Sequence, residues 1–160
     1  FLAGGGWLAR RGHPYHPETP LKVLDSYTYS TLVSIAERMC ASRGGLPTAR
    51  ELKVAEQVDE LLSRMDPGDV RDLMRVLRWL ESPMSGQLVG RRGRPFSECS
   101  PEVQDRVLES WRTSGWTVQR TAFDALHALC QAPYWGHPRV WAHVGYEGPP
   151  DFSSLVGGTP

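Results

Sequence analysis

The sequence predicts an all-α fold, a small bundle of about five helices with an extended N-terminal arm and an aromatic, Pro/Gly-rich C-terminal docking segment. Apolar residues recur at helical spacing from residue 26 to residue 132. The periodic stretches open on helix-capping signals, and no segment alternates apolar with polar residues as a half-buried strand does.

Residues 1–25 read as the arm, because Pro14, Pro17 and Pro20 interrupt any helical pattern. Ser26 is the expected N-cap of a first helix carrying Tyr29, Leu32, Val33, Ile35, Ala36, Met39 and Cys40, and Gly44-Gly45 ends it. Thr48 and Glu51 have capping-box spacing ahead of Leu52, Ala55, Val58, Leu61, Leu62 and Met65. Asp66-Pro67 puts a cap and a first-turn proline before a third helix, with Val70, Leu73, Leu77 and Leu80 on one stripe and Arg71, Arg75 and Arg78 on another.

A connection containing Gly, Pro and Arg follows, from Ser82 to Pro95. Ser100-Pro101-Glu102 opens a fourth helix bearing Val103, Val107, Leu108 and Trp111, and Ser114-Gly115 breaks it. A fifth carries Val118, Ala122, Phe123, Leu126, Leu129 and Cys130. Residues 26–132 are therefore the helical domain, and residues 133–160 a docking segment and tail. In that segment Pro133, Pro138, Pro149 and Pro150, with Gly136, Gly145 and Gly148, are expected to prevent a long helix and to fix a defined path.

Length and composition bound the function. A chain of 160 residues forms one domain with a real core. Basic and acidic side chains number 18 each, a balance that argues against electrostatic capture of nucleic acid or of an acidic membrane surface. Cys40, Cys99 and Cys130 lack zinc or redox spacing, and the two on helices read as buried thiols, with a bridge between two of the three left open. The opening FLAGGGWLA is apolar but far too short to span a bilayer, and reads as the end of an export signal or the exit from a membrane anchor.

No complete catalytic constellation is present. His13 and His16 make at most part of a metal site, since zinc takes three or four protein ligands. His127 reads as a helix-flank histidine, and His137 and His143 have no Ser or Cys placed beside them as a nucleophile. Arg91, Arg92 and Arg94 form the only basic cluster and read as a solvated loop or one salt-bridging an acidic partner. Gly86, Gly90 and Gly93 follow no strand and make no dinucleotide fingerprint. Asp59, Glu60, Asp66, Asp69 and Asp72 gather near a helix junction, where helix capping accounts for them. Tyr134, Trp135, Trp141 and Tyr146 stand out instead. Rings so closely spaced must pack on the domain's own helices or on another chain.

From Phe96 to Pro149 the chain resembles the gluconate 2-dehydrogenase subunit 3 family. The resemblance is carried by Phe96, Trp111, Phe123 with Leu126, the Tyr134-Trp135 pair, Pro138, and the closing Gly145-Tyr146-Glu147-Gly148-Pro149. Trp135 stands where a second Tyr is common in the family, and the His137-Pro138 pairing is less usual.

The resemblance implies a non-catalytic small subunit with no cofactor of its own. It would stabilise, mature and co-export the FAD-dependent large subunit, of the glucose–methanol–choline (GMC) type, in a sugar, sugar-acid or alcohol dehydrogenase complex. A cytochrome c subunit carrying haem often completes such complexes. It further implies twin-arginine export and a periplasmic location at the bacterial inner membrane, with membrane association indirect or through residues upstream of Phe1. The expected partner contacts are Tyr134, Trp135, His137, Pro138, Trp141, Gly145, Tyr146, Gly148 and Pro149. Two other readings compete: a free-standing helical adaptor whose aromatic tail closes its own core, and a free-standing enzyme or metal-binding helical protein using His13, His16, His137 and His143.

Overall fold

A computed structural model describes residues 14–40, 44–82 and 94–149. Asp25 starts the first helix, α1 (Ser26–Met39), by a reciprocal cap. Its carboxylate accepts the Thr28 N–H at 2.8 Å, and Thr28 Oγ1 accepts the Asp25 N–H at 3.1 Å. The expected cap, Ser26, lies one residue too late.

The middle of α1 is buried on every side, with each residue from Thr28 to Ala36 out of solvent. It packs against α2 (Val54–Leu62), α3 (Pro67–Glu81), α4 (Pro101–Arg112) and α5 (Thr117–Trp135). Buried hydroxyls on such a helix need partners. Thr31 and Ser34 donate to the carbonyls of Tyr27 and Ser30, both at 3.0 Å, and Ser30 donates to Tyr15 at 3.2 Å. Leu32, Ile35, Leu62, Leu77, Leu80, Phe96, Leu126 and Tyr134 complete the core around it.

The Thr48–Glu51 box forms, with bonds of 2.7 and 3.1 Å, but the turn it caps does not run straight into α2. Lys53 interrupts it with a left-handed backbone, φ 53°, and the helix restarts at Val54. Asp66 caps α3 by accepting the Gly68 N–H at 2.7 Å. Between α3 and α4 a 3₁₀ turn, Phe96–Glu98, buries Phe96, and the buried Glu81 carboxylate accepts the Ser97 N–H at 2.9 Å.

Two further expectations need correction. The described residues hold six α-helices rather than about five, and no strand, because residues 138–144 form α6 (Pro138–Val144). Pro133 does not end α5 either. It lies in the last turn, where it removes only one intrahelical bond, and the helix runs on to Trp135. The arm, where described, is held down: Asp59 accepts the backbone N–H groups of Lys22, Val23 and Leu24 at 2.7, 3.0 and 2.8 Å. No helix among the described residues is long and apolar enough to cross a membrane.

Candidate functional site

The aromatic segment is a helical corner. After Trp135, Gly136 closes α5, and His137 opens α6 with its Nδ1 accepting the Arg139 N–H at 3.2 Å. Pro138 occupies the first helical position, where no N–H is needed. Gly145 ends α6 in the left-handed conformation, φ 73°, and the chain folds back so that the Tyr146 N–H reaches the Trp141 carbonyl at 2.9 Å.

Trp141 is the hub of this corner. Its indole N–H donates to the Trp135 carbonyl at 2.6 Å, and the Tyr146 ring meets it edge-on at 5.7 Å. Gly148 lies over the same indole with φ 101°, and a Cβ there would stand 3.1 Å from the ring. The Gly-Tyr-x-Gly spacing thus has an internal cause: two left-handed positions and one close approach to Trp141.

The corner is pinned to the backbone at the end of α1 and in the connection to α2. The Tyr134 hydroxyl donates to Pro47 O at 2.9 Å, Gln131 Nε2 to Met39 O at 2.7 Å, and Arg139 Nη1 to Glu51 O at 3.3 Å. His143 Nε2 lies 2.8 Å from Gly44 O, a carbonyl that can only accept, so that nitrogen carries the proton.

These contacts sort the expected partner residues. Tyr134 lies in the chain's own core, 1% exposed, with its hydroxyl on Pro47 O. His137, Pro138, Gly145 and Gly148 shape the corner, and Trp141 is half-buried within it. Outward faces remain on Trp135 (49% exposed), Val144 (54%) and Tyr146 (50%), with Pro149 exposed beside them.

A second apolar patch escaped the sequence reading. Trp116, the N-cap of α5, is 73% exposed, and Val118, which its spacing assigned to the core stripe, is 68% exposed. Trp79, 47% exposed, lies against Trp111 with ring centroids 5.2 Å apart. The Trp after the Ser114-Gly115 break was the available signal, since a core-facing helix seldom begins on an indole.

The remaining candidates play structural parts. His127 stacks on Phe123 at 6.0 Å, as a flank histidine should. Asp66 caps α3, and Asp72 pairs with Arg75 at 2.7 Å. A recess of about 640 Å³ between the arm, α1 and α2 is lined by Tyr15, Tyr29, Glu37, Arg50 and Glu56 among others. There Tyr29 donates to Glu56 at 2.8 Å, and burial together with that carboxylate raises its phenol above the ordinary range. No group of three or more His, Cys, Asp or Glu among the described residues is arranged to hold a metal. His13, Arg91, Arg92, Gly86, Gly90, Gly93 and Pro150 lie outside the described residues.

Comparison with curated proteins and with solved structures finds no match. The family model for gluconate 2-dehydrogenase subunit 3 matches residues 27–148, from the start of α1 to the glycine packed on Trp141. That span takes in all six helices and most of the chain, and so the protein belongs to the gluconate 2-dehydrogenase subunit 3 family, named for a subunit of a dehydrogenase complex.

Proposed function

We propose that this chain is a non-catalytic small subunit that stabilises and matures a GMC-type, FAD-dependent catalytic subunit and crosses the inner membrane with it by twin-arginine export. The complex would work in the periplasm on a sugar, sugar acid or alcohol. FAD would sit in the large subunit and haem c in a third. One observation carries the docking role: Trp135, Val144 and Tyr146 stay exposed on a corner whose polar groups are bonded inward. A braced surface of this kind loses little freedom on binding, and Trp and Tyr are the residues expected to anchor an interface.

The test is co-expression of the chain with a candidate GMC-type flavoprotein, followed by purification through this chain and measurement of bound flavin. Trp135→Ala combined with Tyr146→Ala should lower co-purified flavin at least about tenfold, with the helical content of the chain unchanged. Full flavin recovery with the double variant would place the interface elsewhere, with Trp116 and Val118 the next candidates. A lone, colourless chain from the unmodified pair would favour the self-contained adaptor, a reading that draws on the internal use of Tyr134 and Trp141. The histidine-metal reading loses support because His137 caps α6 and His143 binds Gly44.

A further inference from the structure

Cys40 caps the C-terminus of α1, Cys130 lies on α5, and both are free, buried thiols. Cys40 Sγ donates to the carbonyl oxygen of Cys130 at 3.5 Å, so the first sulfur rests on the backbone that bears the second. That contact makes the two residues tertiary neighbours, close enough for charge on Cys40 to act on the Cys130 thiol. The flanking residues fix this approach, since Gln131 Nε2 donates to Met39 O at 2.7 Å. The third thiol, Cys99, is engaged elsewhere, on Pro95 O.

We infer that Cys40 and Cys130 are a disulfide-competent pair whose redox state is set as the chain folds and is then sealed inside it. In the unfolded chain one cysteine thiolate attacks a small disulfide such as oxidised glutathione. A protein–glutathione mixed disulfide forms and one glutathione thiolate leaves. The second cysteine thiolate then attacks the protein sulfur of that bond, the Cys40–Cys130 disulfide forms, and the second glutathione leaves. The protein gives up two electrons and two protons, and the oxidised glutathione becomes two reduced molecules.

Folding closes this route. Burial, with the Glu37 carboxylate adding to it, pushes the Cys40 thiol up to about 12, so thiolate near neutral pH falls about a thousandfold. Burial raises Cys130 as well, and the neighbouring Cys40 adds to the rise. Both sulfurs are also covered by packing that a tripeptide oxidant cannot enter. A chain folded in a reducing compartment therefore keeps two thiols after export, and one folded in an oxidising compartment carries the bridge. The pair records where folding took place, whether or not the docking proposal holds.

The experiment refolds the full reduced chain in a mixture of reduced and oxidised glutathione, then alkylates under denaturing conditions and maps peptides by mass spectrometry. The expected product is lighter by two hydrogens, links Cys40 to Cys130, and has Cys99 alkylated. Adding the same mixture to the chain after it has folded reduced should form the link at least about 100-fold more slowly. Three alkylated thiols after refolding, a link to Cys99 or a stable glutathione adduct on one cysteine would overturn the pairing. Equal rates for folded and refolding chain would overturn the sealing.

Discussion

Asp59 is the place to cut the fold with a single atom. Its two carboxylate oxygens accept three consecutive backbone N–H groups, Lys22 on Oδ2 and Val23 and Leu24 on Oδ1, and the residue is buried. Asp59→Asn keeps the shape but turns one acceptor into a donor. The carbonyl oxygen can still serve Val23 and Leu24, so the loss is the charge-assisted bond to Lys22 and repulsion between two N–H groups, about 1.5–3 kcal/mol. Asp59→Ala removes all three bonds; because the freed arm can reach water, the cost is about 3–5 kcal/mol rather than the full sum. At this chain length that corresponds to a Tm lowered by roughly 3–12 °C for Asn and 6–20 °C for Ala. Circular dichroism at 222 nm gives the Tm, and amide exchange at Lys22, Val23 and Leu24 shows whether the arm lifts. Unchanged exchange protection of those three amides in Asp59→Ala would refute the reasoning.

Other substitutions test other parts of the structure. Gly148→Ala forces a side chain into a left-handed position and against the Trp141 ring, and should cost about 1–2 kcal/mol with a change in indole fluorescence. Tyr134→Phe should cost about 1 kcal/mol through the lost bond to Pro47, and Tyr134→Ala about 3–5 kcal/mol by emptying the core, both read by urea denaturation. Poor recovery of a complex with Tyr134→Ala would therefore report folding and not docking. Asp25→Ala should lower stability by about 1 kcal/mol at pH 7. Burial alone would raise the Asp25 carboxyl, but the Thr28 bonds and Arg78 outweigh it and hold the group below its ordinary value. Its contribution is thus full above the unfolded value of about 4 and fades as the pH falls through the folded one, so the gap between the proteins should narrow in acid. A gap that widens below pH 4 would reverse that sign.

The helices could be read because their signals are local. Asp66-Pro67 and Ser100-Pro101 marked starts to the residue, and the Leu73, Leu77, Leu80 stripe named the core face of α3. The features that escaped depend on distant partners or weak cues. Asp59 read as one acidic residue among several because its ligands lie 35–37 positions away. Tyr134 read as a docking ring because Pro47, which holds its hydroxyl, is 87 positions distant. The short α6 hid in a Pro/Gly-rich run whose cap is a histidine rather than a hydroxyl or carboxylate. Val118 has the period of the stripe it follows, and only the placement of the first turn of α5 leaves it outside.

The α5–α6 corner grips Met39, Gly44, Pro47 and Glu51 through their carbonyl oxygens. A carbonyl is the same on every amino acid, so these four bonds do not themselves select the side chains of the residues they hold. Its length has no such latitude. Inserting or deleting one residue between Gly44 and Glu51 would throw at least one donor out of step with its acceptor and tilt the exposed face of Trp135 and Tyr146. Relatives should therefore keep the spacing of this stretch strictly, and its composition chiefly where the Thr48–Glu51 cap and the left-handed Gly44 and Gly45 require it.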